Sequence, residues 1–234
     1  MTPIERVKRD SNRQENMLFL KRLIKNPKAL GAVAPSSKAL AEMVAQHVRV
    51  SSETYVVEVG AGTGRFTRGL LDAGLSADRL IVVELDRELC QYLQNNFPSV
   101  MIIQGDATKL NQLLPPEVIC NVETIISGIP LINLNKEEQL DLVTAFQNTL
   151  SPTGHIIQFT YGPVSPLSHK KLGLVATRLG HVFRNVPPAT VWSYTFHKGV
   201  VHKKRRRPML IYFKFAQQKA RQTFRRVRDS KGFR

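Results

Sequence analysis

A short stretch in the first third of the chain leaves few folds open, because an apolar strand runs directly into alternating glycines. Residues 55–59 read Tyr-Val-Val-Glu-Val, Gly60, Gly62 and Gly64 follow, and apolar residues recur at helical spacing from Phe66. This pattern predicts a buried strand, a tight turn and a helix. The spacing Gly-x-Gly-x-Gly differs from the Gly-x-Gly-x-x-Gly that is typical of dinucleotide-binding folds.

An acidic residue marks the end of each of three predicted strands. Glu58 lies just ahead of the glycine turn, where a carboxylate would repel a pyrophosphate and attract a cation. Glu84 ends the next apolar run, where an acid can accept hydrogen bonds from both hydroxyls of a ribose. Asp106 follows the third run and suits an adenine amino group. The set indicates a ligand with an amine, a ribose and an adenine.

This ordered set of acids around a glycine turn resembles the class I S-adenosylmethionine-dependent methyltransferases. The resemblance implies S-adenosyl-L-methionine as the cofactor and S-adenosyl-L-homocysteine as its product. The alternative is a Rossmann-like domain that takes another nucleotide or has lost its ligand. The residues expected to bind the cofactor are Val33, Pro35, Ser36, Glu58, Gly60, Ala61, Gly62, Thr63, Gly64, Glu84, Leu85, Asp106, Ala107 and Ser127.

Strands and helices alternate along the middle of the chain, which predicts a mostly parallel sheet with helices on both faces. The last two strands, joined by Pro187-Pro188, read as a hairpin that supplies an antiparallel edge strand. We therefore predict an α/β, Rossmann-like class I methyltransferase fold with seven strands. The predicted strands are 55–59, 80–84, 100–104, 122–127, 155–160, 181–186 and 189–197, and the predicted helices include 37–47, 66–71, 86–96, 136–149 and 168–179.

The distribution of charge divides the chain into three parts. Residues 1–29 carry eight Lys/Arg and three Asp/Glu, and residues 198–234 carry fourteen Lys/Arg and one Asp. The part between them, 30–197, has a net charge of −2, although the whole chain of 234 residues has +16. We predict a methyltransferase domain at 30–197 between a basic N-terminal helix and a basic C-terminal tail. Such ends attract a phosphate backbone or an anionic membrane surface.

Several classes of protein are disfavoured by the residues that the chain lacks. Cys90 and Cys120 have no metal-binding or redox spacing, and we expect both to be reduced and core-facing, with no metal site. The charged beginning of the chain has no apolar core of a secretory signal, and no apolar run approaches the length of a bilayer span. The expectation is a cytoplasmic protein that is soluble or peripheral to the membrane.

Both basic ends also carry apolar side chains. Residues 4–25 predict a basic amphipathic helix, in which Phe19, Leu20, Lys21, Arg22 and Leu23 would contact a membrane. The alternative is a helix that packs on the domain with its charges in water. The tail combines the cluster 202–207 with the apolar and aromatic run 209–215, which suits a membrane interface, an RNA or a solvated tail.

The fourth strand ends in Ser127-Gly128-Ile129-Pro130-Leu131, where methyltransferases usually meet the acceptor. The rRNA adenine dimethyltransferases carry Asn or Asp here, followed by Ile, Leu or Pro and then by Pro-Tyr or Pro-Phe, and the ring stacks on the base. Serine is a weaker acceptor, and a leucine in place of the ring forfeits stacking of about 1–3 kcal/mol. The motif is therefore poorly suited to a nucleobase.

Segments across residues 17–197 resemble the bacterial phospholipid N-methyltransferases, the phosphatidylethanolamine N-methyltransferase family. That resemblance implies stepwise methylation of phosphatidylethanolamine to phosphatidylcholine, at the cytoplasmic face of the inner membrane, with anionic lipids as further partners. An RNA or protein N-methyltransferase that uses the basic tail is the alternative. The segments are 19–36, the glycine turn, 83–86, 104–107, 127–131, 158–166 and 185–192.

The resemblance also suggests residues for the acceptor. Tyr161 and Trp192 are candidates to hold a methylated ammonium by cation–π contact, although Trp192 also suits the core of a strand. Arg184 is a candidate partner of the lipid phosphate or a solvated arginine at a strand end. The base that deprotonates the amine is Tyr161, Tyr194 or water. The full substrate set is Ile129, Pro130, Leu131, Tyr161, Arg184 and Trp192.

Overall fold

The computed structural model of the chain describes residues 38–183 and 187–197. Seven strands form a single sheet in these ranges, in the order β3-β2-β1-β4-β5-β7-β6. The strands are β1 (Tyr55–Val59), β2 (Leu80–Glu84), β3 (Met101–Gln104), β4 (Val122–Ser127), β5 (Leu150–Thr160), β6 (Leu174–Val182) and β7 (Ala189–Phe196). The helices are α1 (Lys38–Gln46), α2 (Arg65–Asp72), α3 (Arg87–Asn96), α4 (Leu110–Leu113) and α5 (Lys136–Gln147).

The sheet is mostly parallel. Strands β1 to β5 pair in parallel, whereas β7 is antiparallel to both of its neighbours, β5 and β6. The hairpin of β6 and β7 thus forms the antiparallel edge of the sheet, with β7 on the inner side. This topology confirms the predicted seven-stranded, Rossmann-like methyltransferase fold.

One predicted element is wrong. The helix predicted over 168–179 is a 3-10 turn at His169–Leu172 followed by strand β6. The residues of β6 pair with β7 from Leu174 to Val182, with a register shift between Arg178 and Gly180. A strand is predicted from apolar residues at alternate positions, and the register shift interrupts this alternation in β6. Residues 181 and 182 of the predicted strand 181–186 are therefore the end of β6, and residues 184–186 lie outside the described residues.

Apolar side chains cover both faces of the sheet. On one face, residues of α5 such as Leu142 and Phe146 pack on Ile125 and Ile156. On the other face, the buried side chains of α1, α2 and α3 pack on β1 and β2. Burial of apolar area from both sides explains why the central strands are almost continuously hydrophobic. The helices on both faces agree with the prediction.

The two cysteines differ in their surroundings. Cys90 is buried on α3, where its thiol donates to the carbonyl oxygen of Glu84 at 3.3 Å. Burial, together with the nearby Glu84 and Asp86 carboxylates, raises the pKa of this thiol to about 11. Cys120 is exposed, in a turn that holds its φ at 67°, so the prediction that both cysteines face the core is wrong for Cys120. Both are free thiols.

Several predictions lie outside the described residues. Within the described ranges, no helix is long and apolar enough to cross a membrane, and no group of three His, Cys, Asp or Glu side chains is arranged to hold a metal ion. The predicted features outside these ranges are the N-terminal helix with Phe19, Leu20, Lys21, Arg22 and Leu23, the loop residues Val33, Pro35 and Ser36, Arg184, and the tail 198–234.

Candidate cofactor and acceptor site

The carboxyl ends of the central strands meet at one edge of the sheet. Val59 pairs with Val83 of β2 on one side and with Ser127 of β4 on the other. Gly60, the first residue after β1, donates its backbone N–H to the carbonyl oxygen of Val83 at 2.9 Å. Parallel pairing in this register brings the glycine turn, Glu84 and the acceptor motif to the same edge, where open α/β sheets bind their ligands.

The glycine turn has an open side. Gly60, Gly62 and Gly64 all have positive φ, at 68°, 58° and 75°. A Cβ at Gly62 would meet no atom within 4 Å, and the backbone N–H of Gly62 donates to Glu84 Oε2 at 2.9 Å. The backbone at Gly62 is therefore approachable, whereas a Cβ at Gly64 would come within 2.5 Å of the Phe97 ring.

Two glycines from different motifs lie against each other beneath the site. The backbone N–H of Gly128 donates to the carbonyl oxygen of Val59 at 2.9 Å. A Cβ at Gly128 would overlap the carbonyl oxygen of Gly60, which is a backbone atom and has no side-chain freedom with which to move away. The second position of the acceptor motif must therefore be glycine for the turn after β1 to keep its place.

Glu84 ties the second strand to the turn. Its Oε2 accepts the Gly62 N–H, and its Oε1 accepts the N–H groups of Leu85 and Asp86 at 2.8 and 3.0 Å. A carboxylate has about four acceptor positions, so about one remains for a ligand hydroxyl. Accepting both ribose hydroxyls, as the sequence suggested, would require one of these backbone donors to be released.

Glu58 is the most unusual carboxyl group at this edge. The side chain is fully buried on β1, and Thr67 of α2 donates its hydroxyl to Glu58 Oε2 at 2.6 Å. The other oxygen, Oε1, is buried and has no hydrogen-bond partner. Burial, opposed by the Thr67 hydrogen bond and assisted by the neighbouring Glu84 carboxylate, raises the pKa of Glu58 to about 7.

These features fit S-adenosylmethionine. The cofactor carries an ammonium and a sulfonium, and the unpartnered Glu58 Oε1 is an acceptor held ready for a positively charged group. The open side of Gly62 admits a ligand, and Glu84 retains acceptor capacity beside it. The structure thus brings together three of the predicted cofactor residues, while their role in binding stays a prediction.

The remaining predicted cofactor residues differ in exposure. Asp106 is half-buried, and its Oδ1 accepts the backbone N–H and the hydroxyl of Thr108 at 2.9 and 2.8 Å, which caps a 3-10 turn. Ala61 and Ala107 belong to the buried core on opposite faces of the sheet. Leu85 is 41% exposed, and Thr63 is exposed as well. Among these residues, Asp106, Leu85 and Thr63 therefore have the side chains most accessible to a ligand.

The acceptor motif is more enclosed than its sequence suggests. Ser127 is fully buried, and its hydroxyl oxygen accepts the backbone N–H of Ile129 at 3.4 Å, so the hydroxyl is turned towards its own loop. Leu131 is 2% exposed and belongs to the hydrophobic core. Ile129 and Pro130 are half-buried at the edge of the sheet. Of the predicted acceptor residues on this loop, only these two offer surface to a substrate.

The three aromatic candidates do not share one surface. Tyr161 packs with Phe159 in an edge-to-face contact of 5.6 Å, on the side of α1 to α3. Trp192 packs on the opposite face of the sheet, so a common cation–π site of the two rings is not supported.

Burial disfavours Tyr194 as a candidate base. It is fully buried within the same cluster that Trp192 packs against, and its hydroxyl hydrogen-bonds with Ser165 Oγ at 2.8 Å. Burial raises the pKa of Tyr194 to about 12, which disfavours deprotonation further. Tyr161 remains as the tyrosine candidate.

The sequence analysis missed two polar residues at this edge. Thr67, nine residues after Glu58, is the hydrogen-bond donor that holds that carboxyl group. Gln158 is 2% exposed on β5 and pairs with Ser127 and Trp192. A signal for Gln158 was present, because a polar residue in an otherwise apolar buried strand requires a hydrogen-bonding reason.

Comparison with known proteins identifies relatives of two kinds. The family model for ribosomal RNA adenine dimethylase matches residues 35–141. The ornithine lipid N-methyltransferase of Singulisphaera acidiphila is 32% identical over 189 residues, which cover 78% of this chain and 95% of that protein. The ribosomal RNA small subunit methyltransferase A of a Synechococcus strain is 35% identical over 86 residues, which cover 34% of this chain and 29% of that protein.

Solved structures share the fold at low sequence identity. A TehB-like SAM-dependent methyltransferase from Corynebacterium glutamicum superimposes with a TM-score of 0.51 at 15% identity, over 79% of this chain and 99% of that one. The precorrin-6y C5,15-methyltransferase of Geobacter metallireducens gives a TM-score of 0.51 at 12% identity, over 68% of this chain and 88% of that one. These likenesses concern the fold alone.

Proposed function

The chain belongs to the family of the ornithine lipid N-methyltransferase, within the class I S-adenosylmethionine-dependent methyltransferases, and we propose that it methylates the amine of a membrane lipid headgroup. Phosphatidylethanolamine is the acceptor that we propose first, with stepwise methylation towards phosphatidylcholine. The amine of an ornithine lipid is the competing acceptor of the same chemical class.

The extent of the similarity carries this proposal. The match to the lipid N-methyltransferase covers 95% of that protein, so it includes the parts that bind an acceptor as well as the cofactor. The match to the ribosomal RNA methyltransferase covers 29% of that protein, and the adenine dimethylase model stops at residue 141. The region that matches the adenine dimethylase model therefore ends before β5, β6 and β7.

The acceptor motif supports the same proposal. An adenine acceptor needs an amide or acid at the end of β4 and a ring that stacks on the base, each a sizeable part of the binding free energy. Here Ser127 is turned towards Ile129, and Leu131 is buried in the core. A small aliphatic amine needs no stacking surface, so the loss of the ring has no cost for such a substrate.

The residues of the site account for the chemistry required. The bound cofactor supplies an electrophilic methyl group, and the amine must arrive neutral and in line with it. Glu58 and Glu84 hold the cofactor end of the site, and Ile129 and Pro130 border the acceptor end. We propose that Tyr161 or water takes the proton that an ethanolamine ammonium must lose before transfer.

An RNA acceptor is the second candidate. The adenine dimethylase match and the +13 net charge of residues 198–234 favour it. The buried Ser127 and Leu131 disfavour it, since both positions would have to serve a flipped base.

Offering lipid and RNA side by side separates the two candidates. Radiolabelled S-adenosylmethionine is supplied with phosphatidylethanolamine vesicles, ornithine lipid vesicles and total RNA, with and without anionic lipid. We expect label in the lipid phase, increasing with anionic lipid and decreasing with salt. Label in RNA with none in either lipid would refute the lipid assignment.

We further propose that the protein acts at the cytoplasmic membrane surface. The edge of the sheet that carries the site also carries exposed apolar side chains beyond the ends of β5 and β6, with Val164 73% and Phe183 80% exposed. Exposed apolar residues at the edge that carries the site suit contact with a membrane interface. The many Lys/Arg of segments 1–29 and 198–234 favour an anionic one.

Deletion of residues 1–25 should release the protein from anionic vesicles. This segment contains seven Lys/Arg and most of the apolar residues of the predicted amphipathic helix. Each cation close to an anionic leaflet contributes about 1 kcal/mol. Co-sedimentation with vesicles measures the effect, and a deletion of residues 201–234 is the matched control. Unchanged binding after the first deletion, with loss after the second, would transfer the anchoring role to the tail.

A further inference from the structure

Gln158 holds a buried acceptor atom in a fixed orientation. Its Nε2 donates to the carbonyl oxygens of Ile129 and Phe159, at 3.1 and 2.9 Å. Because both donor hydrogens face carbonyl oxygens, turning the amide over would bring its own oxygen against them. The carboxamide oxygen Oε1 therefore has a defined position, and it is buried without a hydrogen-bond partner.

A second unpartnered atom lies on the neighbouring strand. The indole Nε1 of Trp192 is buried and has no acceptor. Trp192 pairs directly with Gln158 across β5 and β7, and directly paired residues of neighbouring strands project from the same face of a sheet. An unsatisfied acceptor and an unsatisfied donor thus occupy adjacent positions.

Both positions belong to the acceptor end of the site. On its other side Gln158 pairs with Ser127, the last residue of β4, and it donates to Ile129 in the loop that follows. Ile129 and Trp192 pack against the same hydrophobic cluster. Buried polar atoms in folded proteins almost always have partners, so an orphaned pair at this place indicates that ligand groups complete it.

We propose that Gln158 and Trp192 together bind a zwitterionic headgroup. Gln158 Oε1 accepts a hydrogen bond from an N–H of the substrate amine, and Trp192 Nε1 donates to an anionic oxygen of the same headgroup. This inference rests on the proposed lipid amine acceptor. It assigns the amine-orienting role to Gln158, because the hydroxyl of Ser127 is already turned towards the backbone N–H of Ile129.

The chemistry of the amine gives this role a signature. A neutral primary amine has two N–H groups, a monomethylated amine has one, and a neutral dimethylated amine has none. In each transfer the nitrogen lone pair forms the new bond to the methyl carbon, the carbon–sulfur bond breaks with its electron pair on sulfur, and an N–H proton of the product, where one exists, leaves to water. Gln158 stays neutral throughout, and it assists only while the nucleophile has an N–H to donate.

The test compares three acceptors in vesicles: phosphatidylethanolamine and its mono- and dimethylated forms. Gln158→Met keeps the unbranched shape and removes the carboxamide. We expect it to lower kcat/KM about tenfold for the first two acceptors and less than twofold for the third, which is the size of one lost hydrogen bond. An equal loss for all three acceptors, or no loss, would overturn the proposal.

Gln139→Met is the matched control. Gln139 also donates its Nε2 to two backbone carbonyls of the acceptor loop, those of Leu131 and Leu134, at 3.0 and 3.1 Å. Its loss should affect stability as Gln158→Met does, without changing the ratio of rates among the three acceptors. Thermal unfolding and cofactor binding by calorimetry verify that both variants are folded. Gln158→Asn, which withdraws the carboxamide by one methylene, is the second variant and should show the same selective loss.

Trp192→Phe tests the donor. It keeps an aromatic ring on the core and removes the N–H, so we expect KM for phosphatidylethanolamine to rise about fivefold with kcat unchanged. An amine lipid without an anionic oxygen should show no such change, and an equal increase for both lipids would contradict the role of Nε1. A wild-type enzyme that methylates neither these vesicles nor ornithine lipid vesicles would instead refute the proposed function itself.

Discussion

Glu58→Gln should weaken cofactor binding about a hundredfold and at the same time stabilise the cofactor-free protein at pH 8. The carboxyl group is fully buried, and its pKa is raised to about 7 from an ordinary 4.5. An ionised Glu58 is therefore costly to the fold until a positively charged ligand lies beside its Oε1. Glutamine keeps an acceptor for Thr67 and carries no charge at any pH.

The direction of the pH dependence follows from the raised pKa. The folded protein keeps the Glu58 proton to a higher pH than the unfolded chain does, so this contribution to stability is fully present below about pH 4.5. It is lost as the pH rises through about 7, and the difference between the two pKa values corresponds to about 3 kcal/mol. Glu58→Gln does not lose this stability as the pH rises. Its free energy of unfolding at pH 8 should therefore exceed that of the wild type by up to about 3 kcal/mol.

Calorimetry and thermal unfolding measure both halves of the prediction. Wild-type affinity for S-adenosylmethionine should increase between pH 5 and pH 8 as Glu58 ionises, and binding near pH 7 should release a proton that titrations in buffers of different ionisation enthalpy detect. Glu58→Gln should bind roughly a hundredfold more weakly, since a hydrogen bond to a charged group is lost. Glu123→Gln, at the opposite end of β4, is the control and should keep wild-type affinity. Wild-type affinity in Glu58→Gln would refute the assignment of this carboxyl group.

Gly128→Ala should destabilise the fold and weaken cofactor binding together. The new Cβ would overlap the carbonyl oxygen of Gly60, and Gly60 is itself held by its hydrogen bond to Val83. Overpacking against backbone costs about 1–3 kcal/mol, which lowers the Tm by roughly 2–12 °C in a domain of this size. The turn that approaches the cofactor must move to relieve the overlap, so affinity falls as well.

Gly162→Ala is the matched control for that substitution. A Cβ at Gly162 would meet no atom within 4 Å, although this glycine also follows a strand at the carboxyl edge of the sheet. Its Tm and cofactor affinity should stay at wild-type values. A Gly128→Ala protein that matched Gly162→Ala in both measurements would show that the turn after β1 tolerates displacement.

The sequence alone was sufficient for the fold class and for placing the glycine turn and Glu84 at one edge of the sheet. Strand β1, the glycine turn and Glu84 lie within thirty residues of one another, and each local pattern has a local physical cause: apolar runs form buried strands, and glycine adopts positive φ. Parallel pairing then aligns the ends of these strands without further information, as the register of Val59 with Val83 and Ser127 shows. Periodicity failed at β6, because a register shift interrupts the alternation and pairing with β7 decides the structure.

The acceptor end was decided by tertiary structure. Burial separated Tyr194, which is in the core, from Tyr161 at the end of β5, and it put Tyr161 and Trp192 on opposite faces of the sheet. The overlap that requires glycine at position 128 arises from contact with Gly60, which is 68 residues away in the chain. Gln158 and Trp192 become a pair only through β5 and β7. Local sequence patterns report backbone preferences and burial, whereas unsatisfied polar atoms and steric overlaps depend on which distant residues the packed sheet brings into contact.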